Sequence, residues 1–183
     1  MANLTQKALI REFEAMLTDM PFGKITVSAL IARCEVSSNT FYYHFHDIYD
    51  LLGSWIAVKR SAFLQERDAE EPWDVRLKAF FRTLKAHQAP MQHLFDDLSR
   101  ERLERHVFEV SKPWFYNYLR TTTANQSIDE HTLQGLADCC CYAFYGLLLE
   151  FIRSNMTLDA DAAVDRLHTI FSAVLGQTAT TPQ

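Results

Sequence analysis

Leu133, Ala137, Cys140, Phe144, Leu147 and Phe151 follow one another at alternating spacings of four and three residues. That period is the apolar stripe of an α-helix, and a strand would need alternation at every second residue. A stripe this regular must lie against other helices, in its own chain or in a second copy. The rest of the chain agrees with it. Only five glycines and five prolines punctuate 183 residues, so long helices are favoured over turn-rich sheets. The fold class expected is all-α.

Helical stripes recur along the sequence. Leu4, Ala8, Leu9, Phe13, Met16 and Leu17 form the first, which stops at Pro21 and Gly23. Thr26 is placed to cap a short helix, VSALIARC, and Ser37 to cap a second over about 37–45. Asp47 caps a third, whose stripe runs Ile48, Leu51, Leu52, Trp55 and Ile56. The charged segment QERDAEEPWD (65–74) interrupts the pattern. Beyond it come Trp73, Leu77, Phe80, Phe81 and Leu84, ending before Pro90, and then a short helix or turn over 91–98. A helix from about 100 is expected to bury Leu103, Val107, Val110, Trp114 and Leu119 and to kink at Pro113. The last helix carries Val164, Leu167, Ile170, Phe171, Val174 and Leu175, and GQTATTPQ is expected to be a disordered tail.

The longest apolar run, CCCYAFYGLLL (139–149), is too short for the roughly 20 residues of a membrane span. With no apolar leader-like segment in the first residues, the expectation is a cytoplasmic protein with no membrane partner. Four cysteines, three of them contiguous at 139–141, include no C-x-x-C pair and read as small buried hydrophobes. His87, His93 and His106 lack metal-ligand spacing, and Asp165 with His168 reads as a surface pair on a helix. No metal and no cofactor is expected. Neither phosphate-binding loops nor hydrolase or zinc-protease motifs occur, so no catalytic residue is assigned and an enzyme is not expected.

The formal net charge of −5 does not advertise nucleic-acid binding. Residues 1–60 are nevertheless balanced, with six basic against six acidic residues, and the remainder, with 12 basic and 17 acidic, carries the whole deficit. Within the balanced part lies VSSNTFYYHF (36–45), where small hydrogen-bonding groups precede four rings and a histidine. Phe41 and Phe45, at i and i+4, would anchor one side of a short helix, leaving polar groups on the other. Two short helices joined by a tight turn, the second opening with Ser, Asn and Thr, form a helix-turn-helix whose second helix suits the DNA major groove.

The stretch ITVSALIARCEVSSNTFYYHFHDIYDLL (25–52) resembles the N-terminal signature of the tetracycline-repressor (TetR) family, over roughly the first third of the chain. PFGKIT, TFYYHF and DIYDLL together look most like its dihydroxyacetone-kinase operon regulators. The resemblance implies a helix-turn-helix DNA-binding domain at 1–50 and a C-terminal helical bundle at 51–183 for effector binding and dimerisation. It implies a homodimer on a double-stranded, palindromic DNA operator, controlled by an unidentified small-molecule effector, with repression the expected mode. Matched positions place Thr26, Ser28, Ser37, Ser38, Asn39, Thr40, Tyr42, Tyr43 and His44 at the DNA. Effector-lining candidates are drawn from the rings Trp73, Phe80, Phe81, Trp114, Phe115, Tyr118, Tyr142, Phe144 and Tyr145, with Phe80, Phe81, Trp114, Tyr118, Tyr142 and Tyr145 foremost. Leu133, Ala137, Cys140, Phe144, Leu147, Phe151, Leu167, Phe171 and Val174 are the expected dimer interface.

The chain departs from the family pattern in three places. Glu35 stands where a turn glycine is usual, so the turn is expected to be altered or strained. Cations common just after the turn serine and at position 48 are missing, which weakens the grip on phosphates. These departures support an alternative: a co-regulator with weakened DNA binding that acts through a ligand and a protein partner.

Overall fold

The computed structural model describes residues 2–65, 71–123 and 128–178. Among them are nine α-helices, one 3₁₀ turn and no strand. The helices are α1 (Ala2–Asp19), α2 (Val27–Cys34), α3 (Ser38–His44), α4 (Ile48–Gln65), α5 (Trp73–Ala86), α6 (Gln88–Phe95), α7 (Arg100–Thr122), α8 (Glu130–Arg153) and α9 (Ala160–Thr178). The expected disordered tail at 176–183 falls largely outside the described residues. Two compact units result: Met1–Glu71 with Leu84–Asp97, and Pro72–Thr83 with Leu98–Gln183.

The first unit is built around α1. Leu9, Phe13, Met16 and Leu17 are buried, as their spacing requires, whereas Leu4 and Ala8 at the outer end of the same stripe are exposed. Phe13 meets Phe22 and Trp55 edge-to-face, each at 6.2 Å, so α1, the 3₁₀ turn Phe22–Lys24 and α4 share one core. Leu51, Leu52 and Trp55 place the first half of α4 in this unit, which therefore reaches beyond residue 50. Helix α6 belongs to it too. His93 Nδ1 lies 2.9 Å from the Leu17 carbonyl, and the Gly23 amide donates to Asp97 at 2.7 Å. A side chain at Gly23 would press on that carboxylate, since a Cβ there would lie 3.2 Å from Asp97 Oδ1.

In the second unit α7 and α8 run antiparallel. Tyr145 donates to the Arg100 carbonyl, Ser111 meets Cys141, Lys112 pairs with Asp138, and Tyr116 donates to Glu130. The α7 face that enters the core is Leu103, Val107, Ser111, Phe115 and Leu119. Val110 and Trp114, expected in the core, are half-buried, because the four-residue steps of the facing row carry Ser111 and Phe115 inward instead. Pro113 sits inside α7 without ending it.

Helix α8 is the one described helix long and apolar enough, by length and composition alone, to cross a membrane. Leu133, Ala137, Cys140, Cys141, Leu147, Leu148 and Phe151 are nonetheless buried in the unit's own core. Helix α9 meets α5 through ion pairs and ring contacts. Lys78 pairs with Asp165 and Asp74, Arg82 with Asp161, and His168 Nδ1 lies 3.6 Å from the buried Asp74 carboxylate. Asp165 and His168 therefore both serve a helix contact, and Trp73 packs on His168 and Phe171 beside them.

Candidate nucleic-acid interface

Helices α2 and α3 are set by their ends. Thr26 Oγ1 accepts from the Ala29 amide at 3.1 Å and Ser37 Oγ from the Thr40 amide at 3.1 Å, which starts each helix where the sequence places its cap. The turn between them is made by Glu35 at φ 54, ψ 39. Its amide reaches the Ala32 carbonyl at 3.4 Å, and the Val36 amide reaches the Ile31 carbonyl at 3.1 Å. That is a complete Schellman turn with glutamate at the left-handed position glycine usually occupies. The turn keeps its geometry and carries the strain. Asp47 then caps α4 by accepting from the amides of Tyr49 and Asp50, both at 2.8 Å.

Phe41 and Phe45 are buried, their ring centroids 5.7 Å apart, and they fix α3 to the first unit's core. The opposite side of α3 is open. Ser38 and Asn39 are exposed, Tyr42 is 60% exposed and Tyr43 78%. The expected DNA-contacting residues divide accordingly. Ser38, Asn39, Tyr42 and Tyr43 form one outward face at i, i+3 and i+4 spacing. Ser37 and Thr40 spend their hydroxyls on each other, at 2.8 Å, and on the cap. Thr26 caps α2 while remaining exposed, as is Ser28 on the helix's outer side. His44 is half-buried between Tyr43 and Phe45. No lysine or arginine lies on α3, and Glu35, Asp47 and Asp50 are exposed around it.

Apart from Tyr118 and from Trp73, which packs on His168 and Phe171, the expected effector-lining rings fall into two groups in the second unit. Phe144 is the hub of one: it meets Phe80 at 5.5 Å, Phe81 at 6.2 Å and Phe115 at 6.3 Å, with Trp114 against Phe115 at 4.8 Å. Phe81 and Phe115 are buried, and Phe80, Trp114 and Tyr118 are half-buried. The Arg76 guanidinium lies 5.7 Å from the Trp114 ring centroid. Tyr142 and Tyr145 belong elsewhere. Both pack on Phe108, at 4.8 and 6.4 Å, a residue outside every set expected from the sequence. Phe108 also lines an open groove of about 510 Å³ with Glu109, Lys112, Pro113, Tyr116 and Gln134.

Most of the residues expected at a dimer seam are buried within the single chain. Leu133, Ala137, Cys140, Leu147 and Phe151 are already buried there, Phe144 is taken up by the ring cluster, and Phe151 packs on Phe81 of α5. The outward side of α8 includes Gly135, Cys139, Tyr142 and Gly146. On α9, Leu167 and Phe171 are half-buried and Ile170 is 56% exposed, while the Val174 side chain lies outside the described residues. Burial, and after it the thiols of Cys141 and Cys139, push the Cys140 thiol up to about 12, and burial also raises Cys141 and Cys34. Such thiols are poor nucleophiles, which leaves Cys139 as the accessible member of the trio. Among the described residues no three His, Cys, Asp or Glu come together as metal ligands.

The family model TetR_C_8, a transcriptional regulator C-terminal region, matches residues 71–173. Among solved structures the fold is similar to the dihydroxyacetone kinase operon activator DhaS, with a TM-score of 0.68 at 14% identity over 94% of this chain and 96% of that one. It is also similar to the reduced form of E. coli NemR, at TM-score 0.59 and 17% identity, over 91% and 96% of the two chains. A TetR-family regulator from Pectobacterium atrosepticum, ECA1819, aligns over 100% of this chain and 97% of its own, at TM-score 0.55 and 15% identity. No curated protein sequence matches the chain.

Proposed function

Since the chain belongs to the TetR family of transcriptional regulators, we propose that it is a ligand-responsive repressor that binds a palindromic DNA operator as a homodimer in the cytoplasm. The observation that carries this reading is the outward face of α3. Ser38, Asn39, Tyr42 and Tyr43 project from the second helix of a helix-turn-helix, and Phe41 and Phe45 hold that helix from behind. A helix so presented fits the major groove, with side chains at base edges. In this reading the first unit, which holds residues 1–50, reads DNA and the second unit senses and dimerises. Two readers related by a two-fold axis would meet half-sites one helical turn, about 34 Å, apart.

The second unit supplies the sensing part of the proposal. An effector would enter beside Phe80 and Trp114, half-buried residues at the edge of the ring cluster, and the half-buried Tyr118 one turn on from Trp114, rather than beside Tyr142 and Tyr145. It would act only through unequal affinity for DNA-binding and non-binding states of the dimer. Pairing would use the outward faces of α8 and α9, including Tyr142, Gly146 and Ile170.

A second reading has its own observation. No cation lies on α3 and three exposed carboxylates surround it, so a co-regulator that binds a protein in place of DNA is the alternative. Selection of random duplexes by the purified protein at low salt decides between them. A recovered palindrome supports the repressor reading, and a folded dimer that enriches nothing supports the alternative.

A further inference from the structure

Four side chains form the open face of α3, and their chemistry is unequal. Ser37 and Thr40 are closed on each other, Phe41 and Phe45 are buried, and His44 is wedged between rings. Of the four outward residues, Ser38 offers one small hydroxyl, and Tyr42 and Tyr43 each offer one phenol at the end of a ring. Only Asn39 carries a donor and an acceptor side by side in one plane. Its side chain is exposed, and Tyr42 and Tyr43 flank it at i+3 and i+4 on the same face.

In the major groove adenine presents N7 as acceptor next to the N6 amino donor, and a carboxamide matches that pair with two hydrogen bonds. Guanine presents two adjacent acceptors, O6 and N7, which call for two donors from arginine or lysine. The helix has neither residue. We propose that Asn39 is the specificity-determining residue of this chain and reads an adenine at a fixed position in each operator half-site. The rings of Tyr42 and Tyr43 lie beside it, where they can meet the methyl group of a neighbouring thymine. The strongest base preference of the half-site therefore falls on an A·T pair. This assignment rests on the DNA-binding reading.

The test compares random-duplex selection by the wild type, Asn39→Ala and Asn39→Arg. Asn39 is exposed and, among the described residues, its side chain holds no other part of the fold, so both variants should keep the wild-type circular dichroism and melting curve. The expected result is a half-site with a dominant adenine. Exchanging that pair for G·C weakens wild-type binding by about 10- to 100-fold, in line with the usual effect of one mismatch, and weakens Asn39→Ala by less than about threefold. Asn39→Arg should move the preference at that position toward guanine. A motif whose every position survives Asn39→Ala overturns the assignment while leaving the DNA-binding reading in place. Failure of the folded wild type to enrich any motif overturns both.

Discussion

Replacing Glu35 with glycine should stabilise the protein, although it shortens a side chain and adds backbone freedom to the unfolded chain. Glu35 sits at φ 54, ψ 39, where an L-residue costs roughly 1–2 kcal/mol because its Cβ crowds the following carbonyl. Glycine removes that crowding but makes the unfolded chain more flexible, at a cost of about 0.4–1 kcal/mol. The side chain is exposed and, among the described residues, makes no hydrogen bond or ion pair whose loss would count against the change. A net gain of about 0.5–1 kcal/mol is expected, which for a chain of this size raises the melting temperature by about 1–4 °C. Glu35→Ala is the control, since it removes the same carboxylate and keeps the strained Cβ. Thermal and urea unfolding of the three proteins provide the measurement. If Glu35→Gly melts no higher than Glu35→Ala, the turn is not strained and the reasoning from its φ and ψ is refuted.

Two further changes address the second unit. Leu147→Glu would bury a charge beside the α7–α8 core, at a cost of several kcal/mol, and is expected to abolish cooperative unfolding rather than yield a folded monomer. Tyr142→Glu, on the exposed face, should keep its circular dichroism and melt but shift the mass seen by light scattering from dimer to monomer. A folded Leu147→Glu monomer, or a Tyr142→Glu dimer, would reverse the assignment of the two faces of α8. The Cys140 thiol, pushed from its ordinary 9.0 up to about 12, stays protonated when folded while the unfolded thiol ionises. Its contribution to stability is therefore complete below about pH 9 and is lost as pH rises toward 12, by roughly 1.4 kcal/mol per unit. Urea unfolding at about pH 8 and about pH 10 should show a larger fall for the wild type than for Cys140→Ala, and equal falls would contradict the burial argument.

Local signals are legible in the sequence because their partners are local. Thr26, Ser37 and Asp47 cap helices through amides two or three residues away, so residue type and spacing reveal them directly. The burial of Phe41 and Phe45 follows from the same short-range pattern, whereas the αL turn at Glu35 is legible only through the family resemblance. What the chain meets at a distance is not legible. The Gly23–Asp97 bond joins residues 74 apart, and nothing in 88–95 announces that α6 packs with α1. The period of α8 declares an apolar seam but not its occupant. Leu133 and Leu147 look the same whether their own chain or a second one covers them, and the structure buries them within their own chain. Ring composition has the same limit. Residue type alone groups Tyr142 and Tyr145 with Phe80 and Phe81, but Phe108 holds the two tyrosines on another face.

The most direct measurement is the stoichiometry and affinity of the complex on a selected duplex, for the wild type and for Tyr43→Ala, across a range of salt. A specific complex with two chains per palindrome is the predicted result. Its salt dependence should be shallow, because α3 carries no lysine or arginine to release counterions. Tyr43→Ala should weaken it about tenfold or more without loss of helicity. Equal affinity for selected and random duplexes, or a Tyr43→Ala complex as tight as the wild type, would contradict the assignment of α3 as the reader of DNA.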